Sequence, residues 1–513
     1  MSLERNTAAA GGRRGGVFGA YRDPRAVVMF FLGFSAGLPI LLIFSSLSLW
    51  LREAGVERST VTMFSWAALA YSFKFVWSPL IDALPLPLLT RLLGKRRGWL
   101  LLAQVSVSAA VCLMAIVDPA ANGALVYMAA AAVLLGFSSA TQDVVIDAYR
   151  IETAAGNDAM QSVTAATYNA GYRVGMVAAG AGALFLAAGF GSREGMYLYS
   201  AWRQTYFVMA ACMGVGILTT LLMREPQVSL IHTQKRPLAD NLRLILLFAV
   251  AVSAFVAVFS FAGSRLTGAD SPLAAFGLEA LRLGMAAMAA AAAGWAAVKS
   301  GWVPGRLALE TWVNPVTEFF ARYGKSSLLL LALIGLYRIS DIVAGVISNV
   351  FYQDLGFSKE EIAAAVKTFG VVMAVFGGFL GGLLSQKFAL MKMMLLGALL
   401  AAATNLLFIL LAYRGHDVLF MYLAVGFDNL AAGLAGAVFV AFLSALTSVR
   451  FTAVQYALFS SLMTLLPKVL GGYSGGMVDT VGYPGFFMFT ALIGLPVLLL
   501  VYWVDKKIYR AGQ

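Results

Sequence analysis

Fourteen stretches of the 513-residue sequence stay apolar for 19 residues or more, each closed by a short polar segment. They run over residues 27–50, 60–82, 99–117, 124–148, 162–189, 203–222, 244–262, 272–298, 327–352, 362–384, 390–413, 418–448, 453–476 and 485–504. A helix needs roughly 20 apolar residues to cross the hydrocarbon core of a bilayer. With no water there to take up backbone hydrogen bonds, such segments must be helices or closed barrels. Runs of this length give helices. Hydrophobic residues make up 60% of the chain and charged residues 12%, against about 45–50% and about 25% in soluble domains. No soluble enzyme could bury that much apolar surface, and no disordered chain has it. The reading is an all-α, polytopic membrane protein with fourteen spans.

The scarce reactive side chains narrow the function. Cys112 and Cys212 sit inside apolar runs with no metal-like spacing, and the two histidines, His232 and His416, fall in loops. Neither a metal centre, a disulfide, a Ser–His pair nor a cofactor is expected. The segment 1–25 is Gly-rich and basic and leads into a run too long for a signal peptide. The first span is expected to act as its own uncleaved insertion signal.

Lys and Arg in the loops set the orientation. One side carries 24, the other 7, and the remaining 6 of the 37 lie within spans. This bias predicts an even number of spans with both termini cytoplasmic. It also accounts for most of the net charge of +12, so no nucleic-acid partner is expected.

The first six and last six spans read as copies. Trp50-Leu-Arg-Glu-Ala-Gly55-Val-Glu-Arg-Ser-Thr-Val61 follows the first span, and Phe351-Tyr-Gln-Asp-Leu-Gly356-Phe-Ser-Lys-Glu-Glu-Ile362 follows its counterpart, at an offset of 301. Arg173 and Lys468 form a second echo. Internal repeats are how many secondary transporters are built; chance likeness of apolar segments is the competing explanation. The chain therefore divides into a tail (1–26), a six-helix half (27–223), a linker with two extra spans (224–326), a second half (327–505) and a short tail (506–513). Within the linker, Leu309, Trp312, Val316, Phe319 and Tyr323 recur at helical spacing opposite Glu310, Glu318 and Arg322. That pattern suggests an amphipathic helix on the membrane surface, or else a plain linker.

Ionisable residues inside spans are costly and usually face a cavity or a partner. Numbering the repeat spans one to twelve, span two has Lys74, span four Asp143 and Asp147, and span five Arg173. Span seven has Arg338 and Asp341, span eight Lys367, span ten Asp428 and span eleven Lys468. Spans three, six, nine and twelve have none away from their ends. In the major facilitator architecture those four face lipid, while one, four, seven and ten line the central cavity and the others form its side walls. Ser139, Asp143, Asp147 and Arg150 share one face of span four. Two carboxylates one turn apart in low dielectric repel, so one tends to hold a proton. Asp143, then Asp341 and Asp428, are the candidate proton-coupling groups, although Asp147 with Arg150, and Arg338 with Asp341, also read as structural pairs. The five cations Lys74, Arg173, Arg338, Lys367 and Lys468, among so few acids, suit carboxylates or phosphates. Trp66, Tyr71, Gln142, Tyr168, Asn169, Tyr172 and Asn429 could receive sugar rings and amides, or simply pack. The extra pair carries only Glu279 and Arg282, spaced to neutralise each other. GxxxG pairs at Gly33/Gly37, Gly171/Gly175, Gly377/Gly381, Gly378/Gly382, Gly471/Gly475 and Gly472/Gly476 mark close helix contacts. A homodimer face is the alternative; a monomer is expected.

Several motifs carry a resemblance. They are Leu32-Gly-Phe-Ser-Ala-Gly-Leu-Pro39, Tyr71-Ser-Phe-Lys-Phe-Val-Trp-Ser-Pro-Leu-Ile-Asp82, Lys95-Arg-Arg-Gly-Trp99, Ser138-Ser-Ala-Thr-Gln-Asp-Val-Val-Ile-Asp-Ala148 and Gly171-Tyr-Arg-Val-Gly-Met176. The second half adds Leu336-Tyr-Arg-Ile-Ser-Asp341, Val366-Lys-Thr-Phe-Gly370, Phe427-Asp-Asn-Leu430 and Thr452-Ala-Val-Gln-Tyr-Ala-Leu458. Together they resemble the AmpG-type muropeptide permeases of the major facilitator superfamily. Asp82 with Gly94–Gly98 looks like a stretched form of the superfamily's acidic–basic signature, with Asp82, Asp147 and Arg150 as candidate gating residues; Pro85 and Pro87 depart from its tight loop. The resemblance implies a carrier of the bacterial inner membrane. It would import anhydromuropeptides, driven by protons, for peptidoglycan recycling, with a bearing on β-lactamase induction and so on antibiotic resistance. The implied partners are muropeptide, protons and membrane lipid. The rival readings are a major facilitator carrier for another anionic or amphiphilic solute, such as a drug, peptide or acyl-CoA derivative, an integral-membrane enzyme, for which no catalytic motif is found, and a non-transporting assembly factor.

Overall fold

The computed structural model describes residues 17–509 apart from 58–59, 62–63, 65–66, 68, 193–196, 228–236, 266–271 and 472–473. Trp66, His232, Lys235 and Gly472 therefore lie outside the described residues, as do the side chains of Glu279 and Lys468. Among the described residues every regular element is a helix. The first half comprises α1 (24–53), α2 (69–83 of it described), α3 (Lys95–Ala115), α4 (Ala124–Thr153), α5 (Asp158–Gly189) and α6 (Tyr199–Leu222). The linker holds α7 (Leu238–Arg265), α8 (Pro272–Lys299) and α9 (305–323). The second half comprises α10 (327–354), α11 (359–384), α12 (Leu390–Arg414), α13 (Val418–Leu446), α14 (described over 452–471 and 474–481) and α15 (483–504), the counterparts of spans seven to twelve. Twelve described helices have the length and apolarity to cross a membrane. The expected spans outside that set are 60–82, partly beyond the described residues, and 453–476, interrupted at 472–473.

The helix boundaries follow local chemistry. Asp23 caps α1 by accepting the Arg25 amide, with Pro24 at the first helical position. Asn157 caps α5 through Met160 N at 2.9 Å, and Asp417 caps α13 through Phe420 N at 2.9 Å. The repeat noticed in the sequence ends both of its first helices alike. Gly55 and Gly356 take φ of 82° and 86°, a left-handed conformation that costs glycine little. Val56 N then reaches back to Leu51 O at 2.9 Å, and Phe357 N to Tyr352 O at 3.1 Å, which is the same helix stop twice. A second correspondence lies in packing: a Cβ at Gly136 would overlap the Ala67 carbonyl, and one at Gly433 the Ala374 carbonyl. The contact of α4 with α2 is thus repeated by α13 with α11.

Each half has its own apolar core, one built around Trp50, Trp202 and Tyr206, the other around Phe351, Phe439 and Phe487. The extra helices α7 and α8 pack on each other and reach the first half through Leu244 and Phe248, which join Leu80, Leu84 and Trp99. Arg282 lies over the Phe259 ring at 3.7 Å and donates to its carbonyl at 2.8 Å. Helix α9 docks under the bundle as well as presenting Leu309 and Phe320 outward. Phe319 packs edge-on against Phe459 at 5.1 Å, Gln455 donates to Pro315 O and Glu318, and Trp312 reaches Val76 O. The linker helix therefore touches both halves.

Candidate functional site

In the first half the ionisable groups gather around α4, and a break in α2 positions one of them. Pro79 has no amide to give the Phe75 carbonyl, so the ladder fails there; Ser78 Oγ fills that acceptor at 3.1 Å. The turn 74–76 tightens to a 3₁₀ helix that holds Lys74 in the interior, only 9% exposed. Its ammonium lies 3.7 Å from Asp147, which Arg150 approaches to 3.6 Å. Asp143, one turn away, is buried. Its Oδ1 has no hydrogen-bond partner, and Tyr168 is its hydrogen-bonding neighbour. Tyr71 shares a 2.6 Å hydrogen bond with Ser139. The adjacent Gln142 is fully buried with both amide atoms unpartnered. Tyr168 and Tyr172 sit with ring centroids 6.0 Å apart.

In the second half the counterpart is a break in α10. The helix is interrupted at Tyr337–Arg338 between Ser327–Leu336 and Ile339–Asp354. Tyr337 is fixed by stacking on Phe439 at 4.4 Å and by donating to Met394 O at 2.9 Å. Arg338, at the break, closes on Asp341 in the next turn. Asp428 of α13 accepts from Thr404 at 3.1 Å and lies within electrostatic reach of both. Arg173 of α5 projects from the other half and feels Arg338 and Asp341 in turn. Interrupted helices are where transporters commonly place their binding groups. Asn429 turns its amide back to its own helix, donating to Val425 O at 2.9 Å.

The two halves are tied together at the end of the bundle that carries the basic loops. Arg96 at the start of α3 is 3% exposed and pairs with Asp82 at 2.8 Å and with Glu152 of α4. Arg96 also donates to Thr452 Oγ1 at 2.9 Å, and Thr452 donates to Glu152. Asp82 accepts the Val454 amide at 3.0 Å. Arg150 donates to Ser444 Oγ at 2.8 Å and lies over the Tyr456 ring. Tyr21 donates to the Phe379 carbonyl at 2.7 Å. All these inter-half bonds belong to the basic end, so the bundle is closed there.

Of the residues singled out in the sequence, Lys74, Gln142, Asp143, Asp147, Tyr168 and Tyr172 are brought together, and Arg173, Arg338, Asp341 and Asp428 form a second group. Asp82 and Arg150 belong to the inter-half tie. The Lys468 backbone lies in α14, its side chain outside the described residues. Glu152, Ser444 and Thr452 were not anticipated. Glu152 and Thr452 are 300 positions apart, and nothing local in either segment announces the other.

The sequence model of the Major Facilitator Superfamily matches residues 329–511, and that of Acetyl-coenzyme A transporter 1 matches residues 26–188. The anhydromuropeptide permease of Escherichia coli K12 is 28% identical over 94% of this chain and 80% of its own length. A Rickettsia conorii protein named AmpG 4 is 27% identical over 95% of this chain and 98% of its own. The chain is thus similar over nearly its whole length to AmpG-type permeases. Its fold is that of major facilitator proteins: the proton:xylose symporter XylE, bound to 6-bromo-6-deoxy-D-glucose, superposes with a TM-score of 0.59 at 14% identity over 94% of this chain and 95% of the other. The fucose:proton symporter FucP of E. coli gives 0.55 at 13% identity over 94% and 99%. It is a multi-pass protein of the bacterial inner membrane whose homologues are transporters rather than enzymes.

Proposed function

We propose that the chain imports anhydromuropeptides by proton-coupled alternating access, with its basic end cytoplasmic and its termini on that side. The observation that carries the reading is that Arg173 of one half lies within electrostatic reach of Arg338 and Asp341 of the other, alongside the similarity to the E. coli permease. Carboxylates of the sugar–peptide ligand compete with Asp341 for Arg338 and draw in Arg173 and Lys468, while Gln142, Tyr168, Tyr172 and Asn429 meet its amides and rings. Import of an anion against an inside-negative potential costs roughly 2.3 kcal/mol per charge per 100 mV, and protons offset it. Asp143 is the carrier of choice because it is buried with one oxygen unpartnered, within electrostatic reach of Lys74. When Asp143 loses its proton, Lys74 is drawn from Asp147; Asp147 then draws Arg150, which loosens its own grip on Ser444 of the other half. Proton binding is thereby linked to the inter-half bond of Arg150.

The deciding experiment is uptake of labelled anhydromuropeptide into proteoliposomes under an imposed pH gradient. Accumulation that collapses with a protonophore supports the reading. Acetyl-CoA is the competitor to include, because of the match over residues 26–188; accumulation of acetyl-CoA without muropeptide would overturn the substrate.

A further inference from the structure

Between α7 and the outer flank of the first half lies a cavity of about 420 Å³. Its walls include Trp77 and Leu84 of α2, Trp99 of α3, Phe137 of α4, and Leu242 and Ile245 of α7. Packed interiors rarely leave voids larger than a water molecule, so a space of this size is a ligand site in scale. It runs from the basic end, where α7 begins, to Phe137, four turns up α4 from its end at Thr153. Phe137, Leu242 and Ile245 are 42%, 50% and 45% exposed at its rim, which opens it sideways to the bilayer. Two polar side chains interrupt the apolar lining: Thr141, whose hydroxyl is satisfied by Phe137 O and Trp77 Nε1, and Asn241, whose Oδ1 is buried without a hydrogen-bond partner. Such an acceptor calls for an N–H or O–H donor. Next to it in the chain, Asp240 and Arg243 pair at 3.1 Å in the first turns of α7.

We propose that this cavity holds one acyl chain of a phosphatidylethanolamine from the leaflet on the basic side, its ammonium donating to Asn241 Oδ1. The head group is zwitterionic, so its ammonium faces Asn241 and Asp240 while its phosphate faces Arg243. Phosphatidylcholine has the same chain and phosphate but no donor, and phosphatidylglycerol has a donor but no cation. The lipid wedges α7 against α2 and α4, giving the extra pair its seat on the first half.

The test is native mass spectrometry of the purified full-length protein after exposure to equal amounts of the three lipids. One retained phosphatidylethanolamine, preferred over phosphatidylcholine by roughly tenfold, is the expected result. Asn241→Leu keeps the volume and should retain lipid but lose the preference; Ile245→Trp fills the cavity and should lose the adduct. No retained lipid, equal retention of all three by the wild type, a preference for phosphatidylglycerol, or an undiminished adduct in Ile245→Trp would overturn the proposal. If Ile245→Trp does not fold, the wild-type preference and Asn241→Leu decide alone.

Discussion

Both halves place a cation at an interrupted helix beside carboxylates, yet they leave those carboxylates in different conditions. In the second half Arg338 is closed on Asp341, and Asp428 is held by Thr404. In the first, Lys74 stands 3.7 Å from Asp147 and leaves Asp143 with an unpartnered oxygen. A satisfied pair resists change, because breaking it strands a charge in low dielectric. An incompletely satisfied cluster has two arrangements of similar cost. On the proposed function, the first half is the one to gain and lose a proton and the second the one to exchange one anion for another.

The largest expected effect tests that division. Asp143→Asn should lower proton-driven accumulation at least about 100-fold, the scale of losing an essential proton-transfer group, while ligand binding and downhill exchange persist. Asp428→Asn should instead weaken ligand binding and leave the response to the pH gradient in place. Counterflow and gradient-driven uptake of the two variants in parallel separate these outcomes. Normal accumulation by Asp143→Asn would move the proton site to Asp428.

Next comes the tie at the basic end, where the halves again differ. The first half supplies the buried charges Arg96, Asp82, Glu152 and Arg150, and the second supplies neutral partners: Thr452, Ser444, the Tyr456 ring, the Val454 amide and the Phe379 carbonyl. Arg96→Ala strands two carboxylates and should destabilise the closed state by about 3–5 kcal/mol. Thr452→Val removes one hydroxyl and should cost about 1–3 kcal/mol. Accessibility of a cysteine placed within the cavity, labelled from the basic side, reports both. Equal labelling of the two variants would mean that the charges act within the first half rather than between halves.

Much of this was legible in the sequence, for physical reasons that also mark where legibility stops. The fold followed from apolar runs and from which of them carry charge, since lipid leaves few alternatives. The α2 break was signalled by Pro79. The α10 break has no proline; Gly335 lies two residues before it, and Tyr337 within it is anchored on Phe439 and Met394 far along the chain. The GxxxG pairs looked equivalent and are not. Cβ atoms at Gly33, Gly37, Gly171 and Gly175 would overlap backbone of the facing helix, whereas at Gly475 and Gly476 nothing lies within 4 Å. A small third effect follows. Gly171→Ala should cost about 1–3 kcal/mol by overpacking, read as a lower thermal midpoint, and Gly476→Ala should leave the midpoint unchanged.

The smallest effect concerns the end of the bundle away from the basic loops, where each half fastens a carboxylate differently. Glu53 accepts from Trp202 Nε1 and Ser192 Oγ, both at 2.7 Å, partners that are neutral at every accessible pH. Glu361 meets His416 at 3.0 Å, with the imidazole packed on Phe357. The hydrogen bond from His416, aided by the Ser358 amide, holds the Glu361 carboxyl below its ordinary value of 4.5. A carboxyl with a depressed folded value binds fewer protons when folded than when unfolded, so it stabilises the fold above its unfolded value. That contribution fades as pH falls through the folded value. The pair is open to solvent, which keeps the effect small and salt-sensitive. Glu361→Gln should therefore lower the thermal midpoint slightly near neutrality and match the wild type once the pH is well below 4.5. A wild-type minus variant difference that persists undiminished into that acid range would show that Glu361 acts through its shape and hydrogen bonds rather than its charge, and the contrast with Glu53 would then vanish.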